Sequence, residues 1–244
     1  MGSSIRPTGF DSAAAALRYW ERRQEVVANN LANVSTAGFK GERTFARLLG
    51  DGATPAIDAV TDFRAGPITM TGAPLDLAIT KDGFFVAQTP GGERLVRGGS
   101  MRLNEQRQLV DESGNVLLGE YDARGGTDGP VVLPQHAAVV TIDHAGAVVV
   151  DGTQVARLRL ERVAPDVRLQ HDAGGRFVPP ATRERMAIEA RSVRQGAVEE
   201  SNVGSVESLV DMISIQRGYA SVQKVLTTID SARGIAASEL AKPV

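Results

Sequence analysis

Apolar residues recur at spacings of three and four near both ends of the chain, and at a spacing of two in between. Leu17, Trp20, Val27 and Leu31, with Gln24 on the same stripe, predict an amphipathic helix between Ser12 and Ala32. Arg18, Glu21, Arg22, Arg23 and Glu25 fill its other surface. Asp11 or Ser12 suits the N-cap, because a side-chain oxygen there accepts from unpaired first-turn amides. A second stripe comprises Met212, Ile215, Tyr219, Val222, Leu226 and Ile229, widened by Leu209, Ile213 and Val225. It predicts a helix from about Ser205, capped by Ser205 or Ser208, to a breaker at Gly234. Spacing sustained over this many turns suits coiled-coil packing.

The middle holds short β-branched or aliphatic runs, such as "GFFVAQT", "NVLLG" and "AVVVD", separated by Gly, Asp, Asn and Pro. Ala156, Leu158 and Leu160 alternate with Arg157, Arg159 and Glu161, the pattern of a half-buried strand. "DESGNV" and "DHAGAV" read as hairpin turns around Gly114 and Gly146, and "RGGS" as a turn between strands. Residues 50–74 read as an extended arm rich in Gly, Ala, Thr and Pro. The pattern predicts an α+β fold in which terminal helices flank a central all-β domain. Its parts are an N-terminal helix and joint (1–49), the arm (50–74), the β-domain (75–195) and a C-terminal helix (196–244).

Charge and composition narrow the function. The 244 residues carry 27 basic and 29 acidic side chains, for a net charge of −2 without long blocks. This argues against a nucleic-acid surface, which needs a concentrated basic patch. Arg183, Arg185, Arg191 and Arg194 alternate with acids and apolar residues, as on a solvated face. The absence of cysteine removes disulfides, thiolate metal sites and cysteine nucleophiles. No apolar run is long enough for a membrane-spanning helix, and the first residues lack the pattern of a cleaved signal peptide. His136, His144 and His171 stand apart from one another. Neither a nucleophile elbow nor a phosphate-binding glycine loop occurs. The expectation is a protein without enzymatic activity, cofactor, metal or small-molecule ligand.

What remains is a pair of apolar stripes. Pattern alone leaves two arrangements open: the helices cap the β-domain of their own chain, or they pair with each other and bury further surface against neighbouring subunits. Between the first helix and the arm lies "VVANNLANVSTAGFK". Here Asn33 suits the left-handed conformation that ends a helix, Gly38 a turn, and Phe39 an anchor. Asn29 and Asn30 either bond to nearby backbone or are solvated.

That stretch, extended to "FKGERTFARLL", resembles the N-terminal motif of the rod and hook axial proteins of the bacterial flagellum. The resemblance continues in "TDFRAGPITMTGAPLDLAITKDGFFVAQT" and closes with "VRQGAVEESNVGSVESLVDMISIQRGYASVQKVLTTID". Lys81 and the reduced "VRGGSM", keeping Arg97 and Gly99, depart from the family pattern. The resemblance implies a structural subunit of the periplasm-spanning rod. It would be handled by the flagellar export apparatus without a cleaved signal and polymerise with itself and other axial proteins. The short passage from helix to arm points to the proximal rod, with another axial paralogue or a secreted β-rich adhesin as alternatives. On this view the assembly interface comprises Leu17, Trp20, Gln24, Val27, Leu31, Leu209, Met212, Ile213, Tyr219, Val222, Leu226 and Ile229. The motif joint comprises Asn29, Asn30, Leu31, Asn33, Gly38 and Phe39.

Overall fold

The structure, a computed structural model, describes residues 9–47, 56–121, 128–164, 167 and 169–240. Helix α1 spans Gly9–Ala32 and helix α2 spans Ser205–Leu240. All other regular elements among the described residues are short strands and two 3-10 turns. The fold is therefore α+β, with a mostly β centre between two terminal helices. The chain forms two compact units: residues 1–32, 42–60 and 204–244 in one, and 33–41 with 61–203 in the other.

In the β-unit, every strand pair with a described register is antiparallel, as short runs joined by tight turns require. The main sheet runs in the order Val140–Ile142, Ala147–Val150, Thr153–Leu158, Val116–Glu120, Phe84–Thr89, Gly92–Val96, Arg176–Val178, Gln170–Asp172. Strand Phe84–Thr89 divides the interior by its alternation. Phe85 enters a large core with Leu77, Ile79, Leu117 and Leu158, while Phe84 and Val86 join Leu95, Leu169 and Phe177 in a smaller one. Both expected hairpin turns are present, with Gly114 and Gly146 at φ +85° and +80°.

Several expectations need correction. "RGGS" is not a turn: Gly98–Ser100 is a strand paired with Asp76–Ile79, which also pairs with Val193–Gln195. Gly98 is required there because an added Cβ would sit 2.3 Å from the Leu77 carbonyl oxygen. The stretch 50–74, whose first six residues lie outside the described residues, contains two strands. Ala56–Thr61 pairs with Glu42–Arg47, and Ile68–Met70 pairs with Ala197–Glu199. The alternation through Leu158 and Leu160 is real, but its polar side is not solvated: Arg159 and Glu161 are buried. They belong to an ion-pair seam in which Arg159 bonds Glu161 at 2.5 Å and Glu93 at 2.8 Å. Arg183 and Arg185 join that seam, and Arg191 is buried against both carboxylate oxygens of Glu120 at 3.0 and 3.1 Å. Of the arginine run, Arg191 is thus internal wiring and Arg183 half-buried, while Arg185 and Arg194 lie on the expected exposed face.

The helix ends also differ. Asp11 and Ser12 lie inside the first turns of α1 rather than capping it, where Asp11 still favours the positive end of the helix dipole. Ser208 does not cap an amide; its hydroxyl donates to the Gly204 carbonyl at 2.8 Å. Helix α2 continues past Gly234 to Leu240. A single interior glycine costs only about 1 kcal/mol, and the following "IAASEL" favours helix.

Candidate assembly surface

Helices α1 and α2 pack against each other antiparallel. Position 9 lies beside Ile229, Trp20 beside Gly218, and Arg23 reaches Asp211 at 3.5 Å. The Tyr219 hydroxyl donates to Glu21 at 3.3 Å. On α1, Val27 is buried and Leu17, Trp20 and Leu31 are half-buried, whereas Gln24 is exposed. On α2, Ile215 is fully buried and Met212, Tyr219, Val222, Leu226 and Ile229 are half-buried. The spacing from Met212 to Ile229 is three, four, three, four, three, which keeps one seam on one side of the helix.

Leu209 and Ile213, predicted for the same interface, are not in that seam. With Val206 and Val210 they form a second apolar stripe over the first turns of α2, each side chain more than half exposed. Val225 is likewise outward at 50%. The sequence stripe that looked like one wide face is therefore two faces, one covered and one open.

The joint after α1 is built from side-chain and backbone hydrogen bonds. Asn30 brackets the start of the next strand: its amide nitrogen donates to the Glu42 carbonyl at 2.8 Å, and its oxygen accepts from the Glu42 amide at 2.9 Å. Backbone bonding is thus the role of Asn30, while Asn29 is exposed and Leu31 half-buried. Asn33 does not take the expected left-handed conformation; among the described non-glycine residues only Arg107 and Asp151 do. Instead its carbonyl and side-chain oxygens accept from the Thr36 amide and hydroxyl at 3.1 and 3.2 Å. The positive φ falls on Gly38, at +68°, where a Cβ would also press on Arg97 at 3.0 Å. Phe39 is buried and packs against the His171 ring.

Beyond Phe39 lies a feature that the sequence reading missed. Lys40 and Glu199 are fully buried and bonded at 2.5 Å, and Arg97 donates to the other Glu199 oxygen at 2.9 Å. Lys40 also donates to the Arg64 carbonyl at 2.8 Å, and the Gly66 amide donates to Glu199 at 3.0 Å. Arg97 further donates to the carbonyls of Ile79, Lys81 and Gly83. Burial pushes the Lys40 ammonium below its usual value, against the pull of Glu199. Asn202 completes the clamp, accepting from the Gly41 amide and donating to the carbonyls of Asp62 and Arg64. Lys40 and Glu199 lie 159 positions apart, so no local pattern announces the pair. The only sequence signal was Arg97, kept within an otherwise altered motif.

No group of three or more His, Asp or Glu among the described residues is placed to hold a metal. His136 and His144 are exposed, and His171 bonds the Thr61 hydroxyl at 3.2 Å. No described helix is long and apolar enough to cross a membrane.

Three family models match in chain order. "Flagella basal body rod protein" covers residues 10–40, "Flagellar hook protein FlgE/F/G D1 domain" covers 78–150, and "Flagellar basal body rod FlgEFG protein C-terminal" covers 194–239. The flagellar basal-body rod protein FlgF of Caulobacter vibrioides is 31% identical over 217 residues, spanning 84% of this chain and 86% of that protein. The chain belongs to the flagellar basal-body rod protein family. FlgF of Rhizobium meliloti is also 31% identical, over 90% of this chain and 92% of its own length. FlgG of Caulobacter vibrioides is 28% identical, over 90% and 94%. The family is one of structural flagellar proteins and not of enzymes. Its two terminal matches coincide with α1 plus the joint and with the approach to α2 plus most of that helix.

Proposed function

We propose that this chain is a structural subunit of the flagellar basal-body rod, of the proximal FlgF kind. It polymerises with copies of itself and with other axial proteins into a shaft across the periplasm. The observation that carries the reading is the open apolar stripe of α2 inside a family-matched terminal segment. Full burial of an aliphatic side chain contributes about 1.5–3 kcal/mol, so covering the exposed halves of Val206, Leu209, Val210 and Ile213 contributes roughly 4 kcal/mol per subunit. A stripe of this kind, on a helix whose other face is already covered, marks a protein contact. Repeated between subunits without closing into a ring, such a contact yields a helical filament. The seam from Met212 to Ile229 then acts as coiled-coil-like pairing within each subunit, and the outer stripe meets the neighbour.

Identity within one organism favours the proximal kind: FlgF of Caulobacter vibrioides is 31% identical to this chain and FlgG 28%. Delivery by the flagellar export apparatus, without a cleaved signal peptide, belongs to the same proposal.

The test is to replace the chromosomal copy by the Leu209→Asp/Ile213→Asp variant, then purify hook–basal bodies. The expected result is a non-motile strain whose basal bodies lack the chain, although the isolated variant keeps the wild-type helix content and β-unit melting. Normal motility with the variant present in the rod overturns the interface.

A further inference from the structure

Helix α2 carries a glycine at position 218, in mid-helix, where glycine is the poorest common choice after proline. The reason is steric. A Cβ built there would lie 2.5 Å from Trp20 Cζ2, 2.6 Å from Cε2 and 2.8 Å from Cη2, closer than carbon atoms approach one another. The indole, the only one in the chain, therefore rests directly on the α2 backbone. It is backed on its own helix by the Tyr19 ring, edge-on at 5.4 Å between centroids, and by the Arg23 guanidinium 5.6 Å from its centroid. Arg23 in turn reaches Asp211 on α2. The other interior glycine, Gly234, has nothing within 4 Å of an added Cβ, so the fit is particular to Gly218.

We propose that Trp20 and Gly218 form a key that fixes the register of α1 on α2, and so decides which stripe of α2 is left outward. Apart from Tyr219, the rest of the seam consists of Met212 and aliphatic side chains at three–four spacing, which pack nearly as well after a shift of one heptad. A large rigid ring that fits only over a missing Cβ removes that degeneracy. One heptad before Gly218 stands Asp211, and one heptad after it stands Val225. Both have a side chain where the ring needs none. The consequence for assembly rests on the rod reading; the key itself does not.

The test is a double-mutant cycle on the full chain, read by helix melting and by the emission of the single tryptophan. Alanine ordinarily favours a helix over glycine by about fivefold in equilibrium constant. Gly218→Ala should nevertheless lower the melting temperature of the helical signal, red-shift the Trp20 emission and increase its quenching by acrylamide. In a Trp20→Ala background the same substitution should raise the melting temperature. An effect of one sign in both backgrounds, with unchanged Trp20 emission, overturns the key. In cells, Gly218→Ala should reduce incorporation into basal bodies at least tenfold, and Trp20→Ala/Gly218→Ala should not restore it, since the double variant pairs without a fixed register. Coupled melting with normal incorporation of Gly218→Ala overturns the link to the outward stripe. Failure of the rod reading is separate: it shows in basal bodies of the wild-type strain that lack the chain, whatever the cycle gives.

Discussion

Removing the negative member of the buried clamp should cost far more than removing one positive member. Lys40, Arg97 and Glu199 together carry one net positive charge in a site closed to water. Lys40→Met leaves Glu199 paired one-to-one with Arg97, with the Gly66 amide still donating to it. The Arg64 carbonyl loses the ammonium but keeps the Asn202 amide at 3.0 Å. Lost hydrogen bonds and relief of burying an ammonium then nearly offset, for a cost of about 0–2 kcal/mol. Glu199→Gln leaves two cations buried with no anion, and turns an amide donor toward at least one of them. Breaking a buried pair in this way costs about 3–5 kcal/mol. For a unit of this size each kcal/mol shifts Tm by about 2–4 °C, so the expected drops are up to about 8 °C for Lys40→Met and about 6–20 °C for Glu199→Gln. Differential scanning calorimetry of the full chain at pH 7 measures both. The double variant should be more stable than Glu199→Gln alone, because one stranded cation is gone. A Lys40→Met protein at least as unstable as Glu199→Gln, or no rescue in the double variant, refutes the charge argument.

Two further outcomes follow from the same physics. Burial lowers the folded-state pKa of Lys40 beneath its unfolded value of 10.5. The unfolded chain therefore holds the extra proton in the window between the two, and stability rises with pH there until 10.5. The Tm advantage of wild type over Lys40→Met should grow as pH is raised from neutral toward that value, and a difference that does not change with pH contradicts it. Arg191 donates to Glu120 and to the carbonyls of Leu158 and Met186 with a planar fork that one ammonium cannot imitate. Arg191→Lys should accordingly destabilise the β-unit almost as much as Arg191→Met, about 3–5 kcal/mol by denaturant titration, and a near-wild-type lysine variant counts against it.

What could be seen in the sequence depended on how far apart the cooperating residues lie. Periodicity exposed α1, α2 and the strands because each depends on neighbours within a turn or two. Gly114 and Gly146 were readable for the same reason. The division of α2 into covered and open stripes was not, because Leu209 and Met212 are equally apolar and only the position of α1 separates them. Nor was the burial of Arg159, Glu161 and Arg191, since charged residues on alternate positions look solvated until partners from distant strands are supplied. Asn33 misled in a smaller way: its amide is good at two turn geometries, and the nearby Thr36 and Gly38 select the one without a positive φ. Within the candidate assembly surface the apolar character of each helix was legible, but the grouping of its residues required the tertiary structure.

The clamp also has a mechanical meaning. The β-unit is threaded by a chain that comes in past Gly38 and goes out past Asn202, and these two strands of chain are tied to each other. The Gly38 amide donates to the Glu199 carbonyl at 2.6 Å, the Asn202 amide to the Phe39 carbonyl at 3.3 Å, and the Lys40–Glu199 pair lies between. Tension applied at residues 33 and 203 meets this tie before it reaches any strand of the main sheet. In a subunit of a turning shaft, strain taken through the two ends of the β-unit would thus fall first on this tie, and on the sheet behind it only once the tie had parted.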